Sequence, residues 1–222
     1  LALSGYGRGA EMPGVAQHAD GAWANLLSEA AQRIGISVIA GFPERARDMR
    51  YISALVVDHT QPDARKVYRK GSLYGDYEKG LFRPNGPSTL LVEMHGLKVG
   101  LLICYDIEFP ENTRRLALAG ADLVAVPTAL PLGPSARFIA EQMIQVRAFE
   151  NQVFVAYADN ADREGAFVYQ GQSVIAAPDG AALAVAQVTG DALIYAEIDP
   201  AAYQTGRQEN PYLADVKAAG IA

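Results

Sequence analysis

The sequence predicts a layered α/β fold built on a mixed sheet. Buried, β-rich runs alternate with amphipathic helical stretches through the middle of the chain. Elsewhere, short turn signals join strands directly, as hairpins do. The chain has 222 residues, half of them hydrophobic, enough to bury a substantial core in one domain spanning residues 1–222. No internal repeat or linker composition divides it.

Leu1 to Gly9 reads as the end of a strand entering a glycine-rich loop that continues to Gly21. Trp23, Leu26, Leu27, Ala30, Ala31 and Ile34 share one face at helical spacing. Asp20 is placed to cap this helix, Gly35 to end it, and Glu29 and Arg33 to pair on its exposed side. Ser37–Gly41 and Tyr51–Asp58 are short buried strands, and Pro62 and Asp63 mark a loop over His59–Ala64. Arg65–Arg69 then delivers Lys70 into a long loop, Gly71–Gly86, with few apolar anchors. Loops of that length in a compact fold are usually functional.

Thr89–Met94 and Lys98–Ile103 form a hairpin around His95-Gly96. The apolar run stops at Cys104, the only cysteine; an acidic turn follows, and Pro110 opens a helix that runs to Ala119 and stops at Gly120. This order, strand, thiol, turn, helix, places a cysteine at the carboxyl end of a buried strand. Leu123–Val126 is a strand ending at Pro127-Thr128, and the loop Ala129–Pro134 leads to a helix over Ser135–Asn151 with Ile139, Met143 and Val146 as its inward stripe. Val153–Tyr157, Ser173–Ala176, Ala182–Ala186 and Ala192–Ile198 read as strands, with Pro178-Asp179-Gly180 a turn between two of them.

Composition excludes several classes. A net charge of −6 and a pI near 5.1 offer nothing to nucleic acid or an anionic membrane as partner. No run approaches the ~18 apolar residues of a membrane span. One cysteine excludes an internal disulfide and is compatible with a reducing compartment, so a cytoplasmic location is expected. One cysteine and three histidines, His18, His59 and His95, show no metal-ligand spacing. Gly5-Tyr6-Gly7-Arg8-Gly9 lacks the lysine of a phosphate-binding loop. Neither metal nor cofactor is expected.

A cysteine nucleophile needs help, because a free thiol has a pKa of ~8.5. His95 lies at the far end of the strand from Cys104, and His18 and His59 sit in loops without a flanking motif, so a Cys–His dyad has no support. The remaining activators are Lys70, at a strand end, and carboxylates such as Glu78 in the same loop. By residue type alone the favoured reading of Lys70 and Glu78 is a solvated charge, and that of Cys104 a small buried hydrophobe.

Taken together, several stretches resemble the nitrilase, or carbon–nitrogen hydrolase, superfamily. Gly100-Leu101-Leu102-Ile103-Cys104-Tyr105-Asp106-Ile107-Glu108-Phe109-Pro110-Glu111 is similar to its nucleophile motif. Tyr68-Arg69-Lys70-Gly71-Ser72-Leu73-Tyr74-Gly75-Asp76-Tyr77-Glu78 is similar to its lysine motif, with Gly71 and Ser72 where Thr or Val and then His are usual. Arg147-Ala148-Phe149-Glu150-Asn151, Tyr169-Gln170-Gly171-Gln172-Ser173 with Pro178-Asp179-Gly180, and Asn210-Pro211-Tyr212-Leu213 extend the resemblance over essentially the whole chain.

The resemblance implies an αββα sandwich, a homodimer or larger homo-oligomer, and a Glu–Lys–Cys triad. Carried over by position, Cys104 is the nucleophile, Lys70 the catalytic lysine and Glu78 a second glutamate that orients lysine and substrate. The Tyr105 backbone N–H joins Lys70 in holding the oxyanion. Pro127, Thr128, Ala129 and Leu130 would wall the acyl pocket, or equally be ordinary loop packing. The superfamily's catalytic glutamate immediately precedes a stretch similar to Leu1-Ala2-Leu3-Ser4-Gly5-Tyr6. The expectation is therefore a chain lacking its amino-terminal strand, helix and general base.

The implied reaction is hydrolysis of a small neutral carboxamide to acid and ammonia through a cysteine thioester. Tyr105-Asp106 favours the amidase branches over true nitrilases, which more often carry Trp-Glu. Glu108 stands where ω-amidases tend to carry arginine. Alternatives are an ω-amidase, a nitrilase, or a non-catalytic protein that keeps the fold.

Overall fold

The computed structural model describes residues 1–221, and the chain divides into two compact units. The first comprises Leu1–Ser88 with Glu164–Ala166; the second comprises Thr89–Arg163 and the chain from Phe167 onward.

The first unit is built on an antiparallel sheet in the order β1-β2-β3, with β1 Val38–Ala46, β2 Met49–Asp58 and β3 Gln61–Arg69. These strands are longer than their apolar runs. The two-residue turn Arg47-Asp48 pairs Ala46 with Met49, so register holds far beyond Gly41. Pro43 and Pro62 lie inside strands rather than loops because β1 and β3 are the two edges of this sheet, where a missing N–H costs no ladder bond. Helix α1, Ala22–Ile34, lays Trp23, Ala24, Leu27 and Ala31 against Phe42, Leu55 and Val57. Gly35 ends it at φ +75°, as its position predicts. Asp20 does not cap it: Gly21 holds the cap position, and Gln17 Oε1 accepts the Trp23 N–H at 3.2 Å. The long loop after Lys70 contains helix α2, Gly75–Leu81. Ala2–Ser4 is a turn rather than a strand end, and the Ala2 N–H donates to Gly41 O at 2.9 Å.

The second unit holds a six-stranded mixed sheet. Its strands are β4 Leu91–Met94, β5 Leu97–Leu101, β6 Leu123–Pro127, β7 Phe154–Ala158, β8 Val174–Ala176 and β9 Ala182–Val185. The order is β9-β8-β7-β6-β5-β4; β5, β6 and β7 run parallel, and the outer pairings are antiparallel. Helix α3, Pro110–Leu118, connects β5 to β6. Gly100 lets it dock, since a Cβ there would meet Leu116 Cδ1 at 3.0 Å.

The stretch Ala136–Asn151 is helical, but its middle, Ile139–Met143, is a π-turn leading into α4, Ile144–Asn151. The extra residue rotates the inward face. Ile139 stays buried, yet Ile144, Arg147, Ala148 and Asn151 replace the expected Met143 and Val146, and Val146 is exposed. Ala192–Ile198 keeps a strand's alternation, with Ile194, Ala196 and Ile198 half-buried and Leu193, Tyr195 and Glu197 exposed. It is in no ladder among the described residues, so it is extended chain rather than sheet. No helix among the described residues is long and apolar enough to cross a membrane.

Candidate active site

In the second unit, the parallel strands β5, β6 and β7 deliver their carboxyl ends to one edge of the sheet, where open α/β sheets carry their sites. Cys104 follows the β5 extension, which the Leu102 N–H holds to Ala125 O at 3.2 Å. The cysteine is buried and has φ +47°, a left-handed conformation that costs a non-glycine residue energy and marks a constrained turn. It opens a 3-10 turn, Cys104–Glu108.

That turn is locked from three directions. The Asp106 N–H donates to Ile103 O at 3.0 Å, and Asp106 Oδ2 accepts the Ile103 N–H at 3.2 Å. Asn112 Nδ2 donates to Asp106 O at 2.7 Å. Arg147 Nε and Nη2 donate to Ile107 O and Glu108 O at 2.9 and 2.7 Å, while Nη1 pairs with Glu150 at 3.0 Å. The π-turn is what rotates Arg147 inward, so the Arg147–Asn151 motif serves the cysteine turn. Tyr105 sets its ring edge-on to Phe109, with centroids 4.9 Å apart.

Thr128, Ala129 and Leu130 follow β6 and are all buried. The Thr128 N–H donates to Ala158 O at 2.8 Å, and the Leu130 N–H donates to Asp159 Oδ1 at 2.8 Å. Gln170 N–H closes on Leu130 O at 2.9 Å. The structure thus brings this loop to the same sheet edge as Cys104.

Two side chains there escaped the sequence reading. Tyr157 is buried and its hydroxyl is hydrogen-bonded with the Thr128 side chain. Burial pushes this phenol well above its usual range, and the charges of Cys104 and Asp159 add to the rise, so it stays neutral. Asp159 is raised to about 8, chiefly by burial, and its Oδ2 is buried without a partner. Both lie at the end of an apolar strand, where nothing in the local sequence separates them from packing residues.

In the first unit, Lys70 leaves β3 with its N–H on Ile52 O at 2.8 Å and its carbonyl accepting the Asn85 N–H at 3.0 Å. Its Nζ donates to both oxygens of Glu78, at 2.7 and 2.8 Å. Neither residue is a solvated charge: each is 1% exposed. Glu78 also accepts the Tyr74 N–H at 2.7 Å and the Tyr6 hydroxyl at 3.0 Å. Tyr6 belongs to the Leu1–Tyr6 stretch, but sequence alone gave it no role.

The family model for carbon–nitrogen hydrolases matches residues 1–208. The chain belongs to the carbon–nitrogen hydrolase family. This hydrolase is 44% identical over 214 residues to "Hydrolase in pqqF 5'region" of Pseudomonas protegens, covering 96% of this chain and 74% of that one. It is 32% identical over 216 residues to an (R)-stereoselective amidase of Pseudomonas sp, covering 96% and 76%. A solved amidase from Nesterenkonia sp. AN1 superposes with a TM-score of 0.73 at 32% identity, over 85% of this chain and 71% of the other. That mutant structure shows the acetamide moiety of fluoroacetamide added covalently at the active-site cysteine. This carbon–nitrogen hydrolase therefore lies in the amidase-like branch of the nitrilase superfamily, whose αββα class its mixed α/β architecture matches. It is an enzyme acting on non-peptide C–N bonds.

Proposed function

We propose that this enzyme hydrolyses a small neutral carboxamide to its carboxylic acid and ammonia, with Cys104 as nucleophile. The carrying observation is the constrained thiol: a lone cysteine at φ +47° at the end of a buried parallel strand, its turn pinned by Asn112 and Arg147. Such restraint holds a nucleophile near attack geometry. Cys104 Sγ attacks the amide carbon; the C–N bond breaks and the nitrogen leaves as ammonia with the thiol's proton, and water then cleaves the thioester, giving the acid and returning a proton to sulfur. The Tyr105 N–H, at the start of the turn, is the backbone donor for the oxyanion.

The part of Lys70 and Glu78 in this reaction rests on the sequence motif around them, and their chemistry supports it. An ammonium supplies donors to a developing negative charge and has no acceptor of its own. Glu78 takes two donors at each oxygen, which uses the roughly four lone-pair sites of a carboxylate. It is therefore a holder of Lys70 rather than a proton acceptor. Thr128, Ala129 and Leu130 wall the acyl pocket in this reading. Assembly as a homodimer or larger homo-oligomer belongs to it as well, and the exposed apolar side chains of Phe138, Val146 and Phe149 along one helical stretch support that.

The test is covalent trapping. Incubation of the enzyme with fluoroacetamide is expected to add one acetamide group at Cys104, located by peptide mass spectrometry, with loss of ammonia release from a small amide. Unlabelled Cys104 alongside intact turnover overturns the assignment.

A further inference from the structure

We infer that Tyr6 is a positioning residue for the Lys70–Glu78 pair, its hydroxyl setting the orientation of the Glu78 carboxylate and through it the Lys70 ammonium. This rests on the role proposed above for Lys70 and Glu78.

The argument starts from how Glu78 is held. Lys70 grips both oxygens, so the carboxylate plane sets where Nζ stands. Two groups outside the ion pair hold that plane: the Tyr74 N–H on Oε2 at 2.7 Å and the Tyr6 hydroxyl on Oε1 at 3.0 Å. One donor alone leaves the carboxylate a hinge; two, one on each oxygen, remove it.

Tyr6 is in turn over-determined. It is 5% exposed, and its ring lies against Tyr77 with centroids 5.2 Å apart. Its carbonyl accepts the Tyr77 hydroxyl at 2.6 Å, and its N–H donates to Glu164 Oε2 at 2.9 Å. Gly5 makes the last contact possible: at φ +79° a Cβ there would stand 1.9 Å from Glu164 Oε1. Tyr77 and Glu78 are neighbours on α2, so the helix fixes the backbone of Tyr6 with one residue and receives its hydroxyl with the next. A phenol needed only to fill space requires no such aim, since phenylalanine fills it equally.

Tyr6→Phe keeps the ring on Tyr77 and removes one donor. Glu78 Oε1 retains the Lys70 ammonium, so no buried acceptor is orphaned and the variant folds. Turnover of a small neutral amide by the chain as encoded, expressed per titrated Cys104 thiol, is expected to fall about tenfold in kcat with KM nearly unchanged. Alkylation of Cys104 by iodoacetamide, which develops no oxyanion, is expected to keep its rate, so the ratio of turnover to alkylation falls too. Ser28→Ala, on α1, removes two hydrogen bonds of the same unit, to Pro62 O and from Arg65 Nε, and touches none of Tyr6, Lys70 and Glu78. It is expected to lower thermal stability and leave kcat per thiol in place.

Full kcat per thiol in Tyr6→Phe, with Lys70→Met and Glu78→Gln both impaired, overturns this inference alone. Full turnover in all three overturns the assignment of Lys70 and Glu78 beneath it. Equal losses in Tyr6→Phe and Ser28→Ala trace the effect to lowered stability and overturn the positioning role.

Discussion

Lys70 Nζ stands 2.7 Å from one carboxylate oxygen of Glu78 and 2.8 Å from the other, and both residues are withdrawn from water. A paired charge at this depth is weak support for stability, because desolvation offsets most of the attraction. Its removal on one side is another matter.

Breaking the pair leaves an uncompensated buried charge, so Lys70→Met is expected to destabilise the fold by about 3–5 kcal/mol in urea unfolding. Lys70→Met with Glu78→Gln leaves no net charge behind and is expected to recover much of that loss. In catalysis each lysine variant is expected to lose the ~2.7–4 kcal/mol typical of one oxyanion donor, read as kcat per folded molecule. A loss below about tenfold, ~1.4 kcal/mol, reduces Lys70 to a structural partner.

Cys104→Ala is expected to abolish amide hydrolysis while the melting transition is retained, since the locks on its turn are made by Asp106, Asn112 and Arg147. Circular dichroism and ammonia release measure the two halves. Residual turnover in the folded variant removes Cys104 from the reaction.

Matched substrates separate the amidase reading from its rivals. A short neutral amide is expected to show a higher kcat/KM than the corresponding nitrile or an ω-amide acid, following Tyr105-Asp106 and the carboxylate of Glu108. Preference for the nitrile overturns the class of substrate.

Asp159 gives the fold a pH dependence of known sign. Its folded pKa of about 8, raised mainly by burial, lies above the unfolded value, so the folded state binds the extra proton between the two. Stability from this group is therefore full at pH below ~4 and falls as pH rises towards 8, at ~1.4 kcal/mol per unit at most. Asp159→Asn keeps an acceptor for the Leu130 N–H and cannot ionise. Urea unfolding at pH 5 and pH 9 is expected to show the variant gaining a few kcal/mol on the parent at the higher pH. Parallel pH curves for the two proteins contradict a neutral, buried Asp159.

By itself the sequence determined the order of the strands and helices from β4 to β9, the cysteine at a strand's end, and the motif that ties Lys70 to Glu78 eight residues on. Those features are local: hydrophobic period, proline and glycine positions, and residue order along one stretch. It could not say that Pro43 and Pro62 sit in edge strands, because edge and centre differ only in what lies alongside. Nor could it place the inward face of the helix before β7, since the π-turn that brings Arg147 to the carbonyls of Ile107 and Glu108 shifts the phase by one residue. Tyr6 and Glu78 are 72 positions apart, and Asp159 lies 29 from Leu130. Hydrogen bonds over such separations depend on how the sheets bring chain segments together, and burial at those meeting points decides whether a charge is solvated, paired or neutral.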